Sequence, residues 1–167
     1  MRRTLGTLVA LVTLVITAAC GSTSSSSVAT DPSRGPASDP AGNPTWPPGP
    51  IPDAHVLPLI SMTAAGGKAT PVATPLDTEA QVARFTAQFR MPAIRHRIRA
   101  AVAGSSTSGD RALVGQVVAV GCDRPPGVDV VANADGRVEL VPHEVASPLQ
   151  ECLAAVTTVA IAELPSS

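Results

Sequence analysis

Hydrophobic and polar positions follow three different rhythms along this chain. Leu5 to Ala19 is a run of fifteen uncharged, mostly apolar residues behind Arg2 and Arg3. A bilayer core takes about 20 apolar residues as a helix, so this run is short for a permanent span. From residue 21 to 55 apolar residues thin out. Ser22–Ser27 region residues are serine and threonine, and eight prolines fall between Asp31 and Pro52. Such a stretch buries too little apolar surface to offset chain entropy, and its prolines favour extended polyproline II. Regular patterning begins only at Val56.

In that last part the pattern predicts elements. Val56 to Met62 is a short apolar run that reads as one edge strand, because Pro58 lacks the donor a central strand needs. Gly66-Gly67-Lys68 reads as a turn. Thr74 as cap, Pro75 at the first helical position and Asp77 three after the cap predict a helix start. Val82, Phe85 and Phe89 then recur at i, i+3 and i+7 on one helical face. Met91-Pro92 restarts the helix, and Ile94, Ile98 and Val102 carry it to Gly104. Residues 104–110 form a Gly/Ser/Thr loop. Ala112 to Gly121 is a valine-rich strand, with Val118 and Val120 at period two. Val128–Val131 and Arg137–Val141 flank Asn133-Ala134-Asp135-Gly136, a hairpin with glycine where positive φ is needed. Leu153 to Leu164 reads as a last strand, with a short helix at 150–155 as the alternative. The expectation is an α+β fold, with N-terminal helical segments packed on a small antiparallel sheet. The predicted division is 1–19 leader, 20–55 tether and 56–167 folded domain.

Composition narrows the function classes. Charged residues are 15% and aromatics 2% of 167 residues, without a tyrosine. The balance of twelve basic against thirteen acidic residues excludes a strongly basic nucleic-acid binder. The few aromatics also leave no platform for stacking bases. Sugar-binding modules stack on rings too, and Phe85 and Phe89 sit at core spacing. Trp46, inside the proline-rich stretch, is expected to be solvated.

Ile16-Thr17-Ala18-Ala19-Cys20-Gly21 resembles the lipobox of bacterial lipoproteins, with Thr17 where that family has Leu, Val or Ile. The resemblance implies cleavage between Ala19 and Cys20 and a diacylglyceryl group on the Cys20 sulfur. Its acyl chains would bind a membrane at about 0.8 kcal/mol per buried CH₂. It implies an extracytoplasmic protein held at the cell membrane, with residues 20–55 as spacer. An ordinary secretory leader is the alternative, and Arg2-Arg3 leaves the export route open. The turn at Pro125 and Gly127, the hairpin, Pro148 and the late apolar strand also look like small secreted actinobacterial lipoprotein domains. The same turn residues and valines resemble a small β-domain associated with a bacterial surface protease complex, without carrying any catalytic residue.

With Cys20 given to lipid, Cys122 and Cys152 are an even pair in an exported chain, which allows one bridge. A metal or redox pair is the competing reading, but C-x-x-C spacing is missing. His143-Glu144 starts like H-E-x-x-H, yet Ser147 stands where the second histidine belongs, so no metal is expected. Neither a G-x-S-x-G nucleophile elbow nor a phosphate-cradling glycine loop occurs, and no cofactor is implied.

One charge feature stands out. Arg84, Arg90, Arg95, His96, Arg97 and Arg99 follow one another with no acid between Glu79 and Asp110. Losing Arg2 and Arg3 with the leader leaves ten basic against thirteen acidic residues, so this is a local patch on an acidic body. A solvated helix face is the plain reading. The sharper one makes Arg95, His96, Arg97 and Arg99 a contact surface for anionic lipid, wall polymer or an envelope protein. The functional expectation is a membrane-anchored, non-enzymatic interaction or accessory module. An envelope hydrolase using a serine or His143, and a small-ligand carrier with an apolar cavity, are the alternatives.

Overall fold

The computed structural model describes residues 46–105 and 111–165. The leader, Ala19, Cys20 and most of the expected tether lie outside these residues. Ten elements follow in order: β1 (Gly49–Pro50), β2 (His55–Val56), β3 (Ile60–Thr63), β4 (Thr74–Pro75), α1 (Glu79–Thr86), α2 (Pro92–Gly104), β5 (Arg111–Gly121), β6 (Val128–Ala132), β7 (Val138–Pro142) and β8 (Val156–Pro165). The class is α+β, as the patterning predicts. The strands form two antiparallel sheets. One runs β1-β6-β7 and the other β2-β8-β5-β4, with β3 also on β8.

The larger sheet is the middle of three layers. Alternate residues of β5 and β8 point to opposite faces. Val114, Ala160, Ala162 and Leu164 meet Val130, Val138 and Leu140 of the smaller sheet. Leu113, Val117, Val159 and Ile161 meet Leu76, Phe85, Ile94 and Ile98 on the helical side. Two cores thus share one sheet, which is why β5 and β8 are buried along nearly their whole length. Chain segments join the two sheets along both margins. Residues 49–56 leave Ala132 on β6 and arrive at Ala162 on β8. At the other margin Ala73 N–H donates to Val138 O while Thr74 pairs with Gly115. Gln116, buried between the sheets, donates to Thr70 O at 2.6 Å and accepts from Leu140 N–H at 2.8 Å. Those bonds satisfy a polar side chain that burial alone would penalise.

Several expectations need correction. Residues 46–55 belong to the fold, not to a tether. Trp46 packs against the inter-sheet core and its backbone N–H donates to Gly136 O at 3.1 Å. Ile51 is buried beside it. Prolines at 47, 48, 50 and 52 are compatible with this because β1 is an edge strand of two residues, where few donors are required. Thr74 and Pro75 form strand β4 and do not start a helix. The helix begins four residues later, where Thr78 and Gln81 make a reciprocal capping box. Asp77 instead accepts the Leu113 N–H at 2.7 Å and so extends the edge of β5. The single strand expected over 56–62 is split at Pro58 into β2 and β3.

Two more differences arise at strand ends. The register slips between Val117 and Ala119, so Val118 is an added residue and the period-two reading fails there. Val118 is buried and Val120 exposed. The last strand starts at Val156, not Leu153, because its partner ends at Gly121, opposite Val156. Just before it only Ala155 O still accepts from Ala64 N–H among the described residues, and Leu153 is fully exposed.

Candidate functional site

Helix α2 is set on the sheet by Ile94 and Ile98, both buried. Pro92 at its first turn fixes φ where no intrahelical donor is needed. Its end is closed by Ser105, whose N–H reaches Ala101 O and whose hydroxyl donates to Val102 O at 2.6 Å. With that face fixed, the helical repeat decides where the basic residues go. His96, Arg97 and Arg99 are exposed and Arg95 is half-buried.

The four do not form one flank. Arg99, with Arg95 one turn before it, lies on the α1 side, where its guanidinium approaches the Thr86 hydroxyl at 3.5 Å. Arg99 shares that cleft with Asp77 and Glu79 on the opposite rim. Arg97 faces the other way, towards β3. Between them His96 occupies the crest. Among the described residues no carboxylate comes within ion-pair distance of Arg84, Arg90, Arg95, Arg97 or Arg99, since the described ion pairs involve Arg111, Arg137 and His143. The patch therefore places guanidiniums without direct ion-pair partners on the helical layer, with Asp77 and Glu79 sharing the cleft of Arg99.

On its Arg97 side α2 borders a groove of about 560 Å³ against the β2–β3 segment. Arg124, just after Cys122, also lines this groove. Arg124 and the groove were not singled out by the sequence pattern. A usable signal exists in retrospect: Ala100, Ala101 and Gly104 place small residues along one flank of α2, which leaves room beside it.

The Cys122–Cys152 disulfide is present, with a Cα–Cα distance of 5.3 Å. It pins the connection between β7 and β8 to the end of β5, and Leu149 N–H adds a bond to Asp123 at 2.8 Å. His143 pairs with Asp129 across the smaller sheet, Nε2 to Oδ1 at 3.0 Å. Its ring lies over Gly127, where a Cβ would come within 2.8 Å of Nδ1. Both side chains of this pair stand on the wet outer face, and no hydroxyl or thiol is hydrogen-bonded to the imidazole among the described residues. No three of His, Cys, Asp and Glu converge as a metal set among the described residues. No described helix is long and apolar enough to cross a membrane. No family model, curated protein or solved structure matches the chain.

Proposed function

We propose that this protein is a lipid-anchored, extracytoplasmic interaction module of the cell envelope. Cys20 carries the anchor, and the stretch ahead of Trp46 is the spacer. The folded unit presents the α2 arginines to an anionic surface. The observation that carries this reading is the set of guanidiniums on α2 without a described carboxylate partner, in a chain whose N-terminus resembles a lipobox. The disulfide supports it, because such bridges persist in oxidising compartments outside the cytosol.

The anchor is tested by metabolic labelling with an alkyne fatty acid. Wild-type protein should take up label and pellet with membranes, and Cys20→Ser should lose both. Wild-type protein that stays unlabelled in the soluble fraction overturns the anchor. The surface is tested separately on the unlipidated Cys20→Ser chain with phosphatidylglycerol-rich vesicles. Each arginine near such a surface contributes about 1 kcal/mol, so Arg95, Arg97 and Arg99 changed together to Gln should weaken binding at least about tenfold at low salt. Binding that survives unchanged discards the α2 surface.

A further inference from the structure

The groove between α2 and the β2–β3 edge has a chemistry that a flat electrostatic contact does not require. One wall is Leu57, Pro58, Leu59 and Ile60, and the other is the small-residue flank of α2. The volume of about 560 Å³ falls within the roughly 300–1,000 Å³ of ordinary small-molecule sites. The walls are mainly apolar, yet two arginines, Arg97 and Arg124, line it from separate parts of the chain. Neither has a described carboxylate partner. Apolar walls with two unpaired cations suit a ligand that is greasy along its length and anionic at its end. Arginine holds carboxylate or phosphate oxygens through paired N–H donors.

We propose that this groove binds an anionic amphiphile, a single acyl chain ending in a carboxylate or phosphate. The chain lies between Leu57–Ile60 and Ala100–Gly104, and the head group is held by Arg97 and Arg124. An added peptide strand is the obvious rival, because β3 pairs only with β8 and its other edge has no described strand partner. Pro58 argues against that rival. It removes a backbone donor in the middle of the edge, and the ladder to β8 is already interrupted there. The groove is therefore poor in the backbone hydrogen bonds that strand addition uses and rich in the side-chain contacts an acyl chain uses.

The test is calorimetric titration of the full, oxidised Cys20→Ser chain with laurate, dodecyl phosphate and dodecanol below their aggregation limits. Laurate and dodecyl phosphate should bind with one-to-one saturation, and a preference between them identifies the head group. Arg97→Gln with Arg124→Gln should weaken both acids at least about tenfold while moving dodecanol less than about twofold. Gly104→Leu should block all three, and it is a safe probe of the fold because a Cβ at Gly104 meets nothing within 4 Å. Arg95→Gln with Arg99→Gln should leave laurate binding intact while weakening vesicle binding, which separates this site from the α2 surface proposed above. No saturable binding, or binding indifferent to both groove variants, overturns the proposal. So does selective binding of an acidic (Asp-Ala)₄ peptide, or a dimer that Gly104→Leu disrupts.

Discussion

Removing the Cys122–Cys152 bridge, by Cys122→Ser with Cys152→Ser, is expected to lower stability by about 3–4 kcal/mol. The bridge joins residues 30 apart in sequence, and closing a loop of that length removes this much chain entropy from the unfolded state in the entropic account. Its position argues that nothing else replaces it. Residues 143–155 contain no regular element, and most of them are exposed. Leu149 N–H bonded to Asp123 is a second tie between this connection and the end of β5. The cost falls on a small domain, whose total stability is ordinarily about 5–15 kcal/mol. A drop of about 10–20 °C in melting temperature should follow, read by thermal denaturation of the oxidised wild type against the double variant. Melting points within about 3 °C of each other would show that the β5–β8 ladder carries that end of the molecule unaided.

What the sequence revealed and what it hid divide along a physical line. Elements whose cause is local were legible. Asn133 to Gly136 makes its turn with its own side chain, Asn133 Oδ1 accepting from Asp135 and Arg137 N–H groups, and Gly136 takes positive φ. The α2 restart at Pro92 and its Ile94–Ile98 face were readable for the same reason. Elements decided by a distant partner were not. β1 exists because β6 offers it an edge, and two residues rich in glycine and proline carry no strand signal of their own. Thr74-Pro75-x-Asp77 satisfies a capping pattern, but β5 competes for those residues and wins. The helix instead starts at Thr78, whose capping box with Gln81 was not singled out by the sequence pattern. The slip at Val118 is likewise a property of the β5–β8 register, invisible in either strand alone. The candidate site splits the same way. The arginine run was legible as a run. Its division into two flanks depends on which α2 face meets the sheet, and Arg124 joins Arg97 only through the fold.

A large effect is expected from adding a side chain at Gly115. It lies in β5 between Thr74 of β4 and Ile161 of β8, so the strand is held on both sides and cannot shift outward. A Cβ built there meets Leu76 Cδ1 at 2.5 Å and Phe85 Cε1 at 3.5 Å. Leu76 is itself buried, with 1% of its surface exposed, so the added methyl meets it inside the core. Gly115 is therefore a place where the helical core needs backbone without a side chain, and φ is not the reason. Two opposed terms act on Gly115→Ala. Replacing glycine inside a strand gains roughly 0.5–1 kcal/mol of backbone entropy. Overpacking a closed core costs about 1–3 kcal/mol. The clash is with a side-chain tip, so the alanine variant should lose about 1 kcal/mol net. Gly115→Val adds two methyl groups against the same wall and should lose about 3 kcal/mol, although valine is the better strand former. The decisive measurement is the cycle with Leu76. Leu76→Ala alone should cost about 2–5 kcal/mol for the cavity it opens. In the double variant the alanine at 115 fills part of that cavity, so its loss should be at least about 1 kcal/mol smaller than the sum of the two single losses. Strict additivity in urea denaturation would mean that Gly115 and Leu76 do not share the volume that the close approach assigns to them.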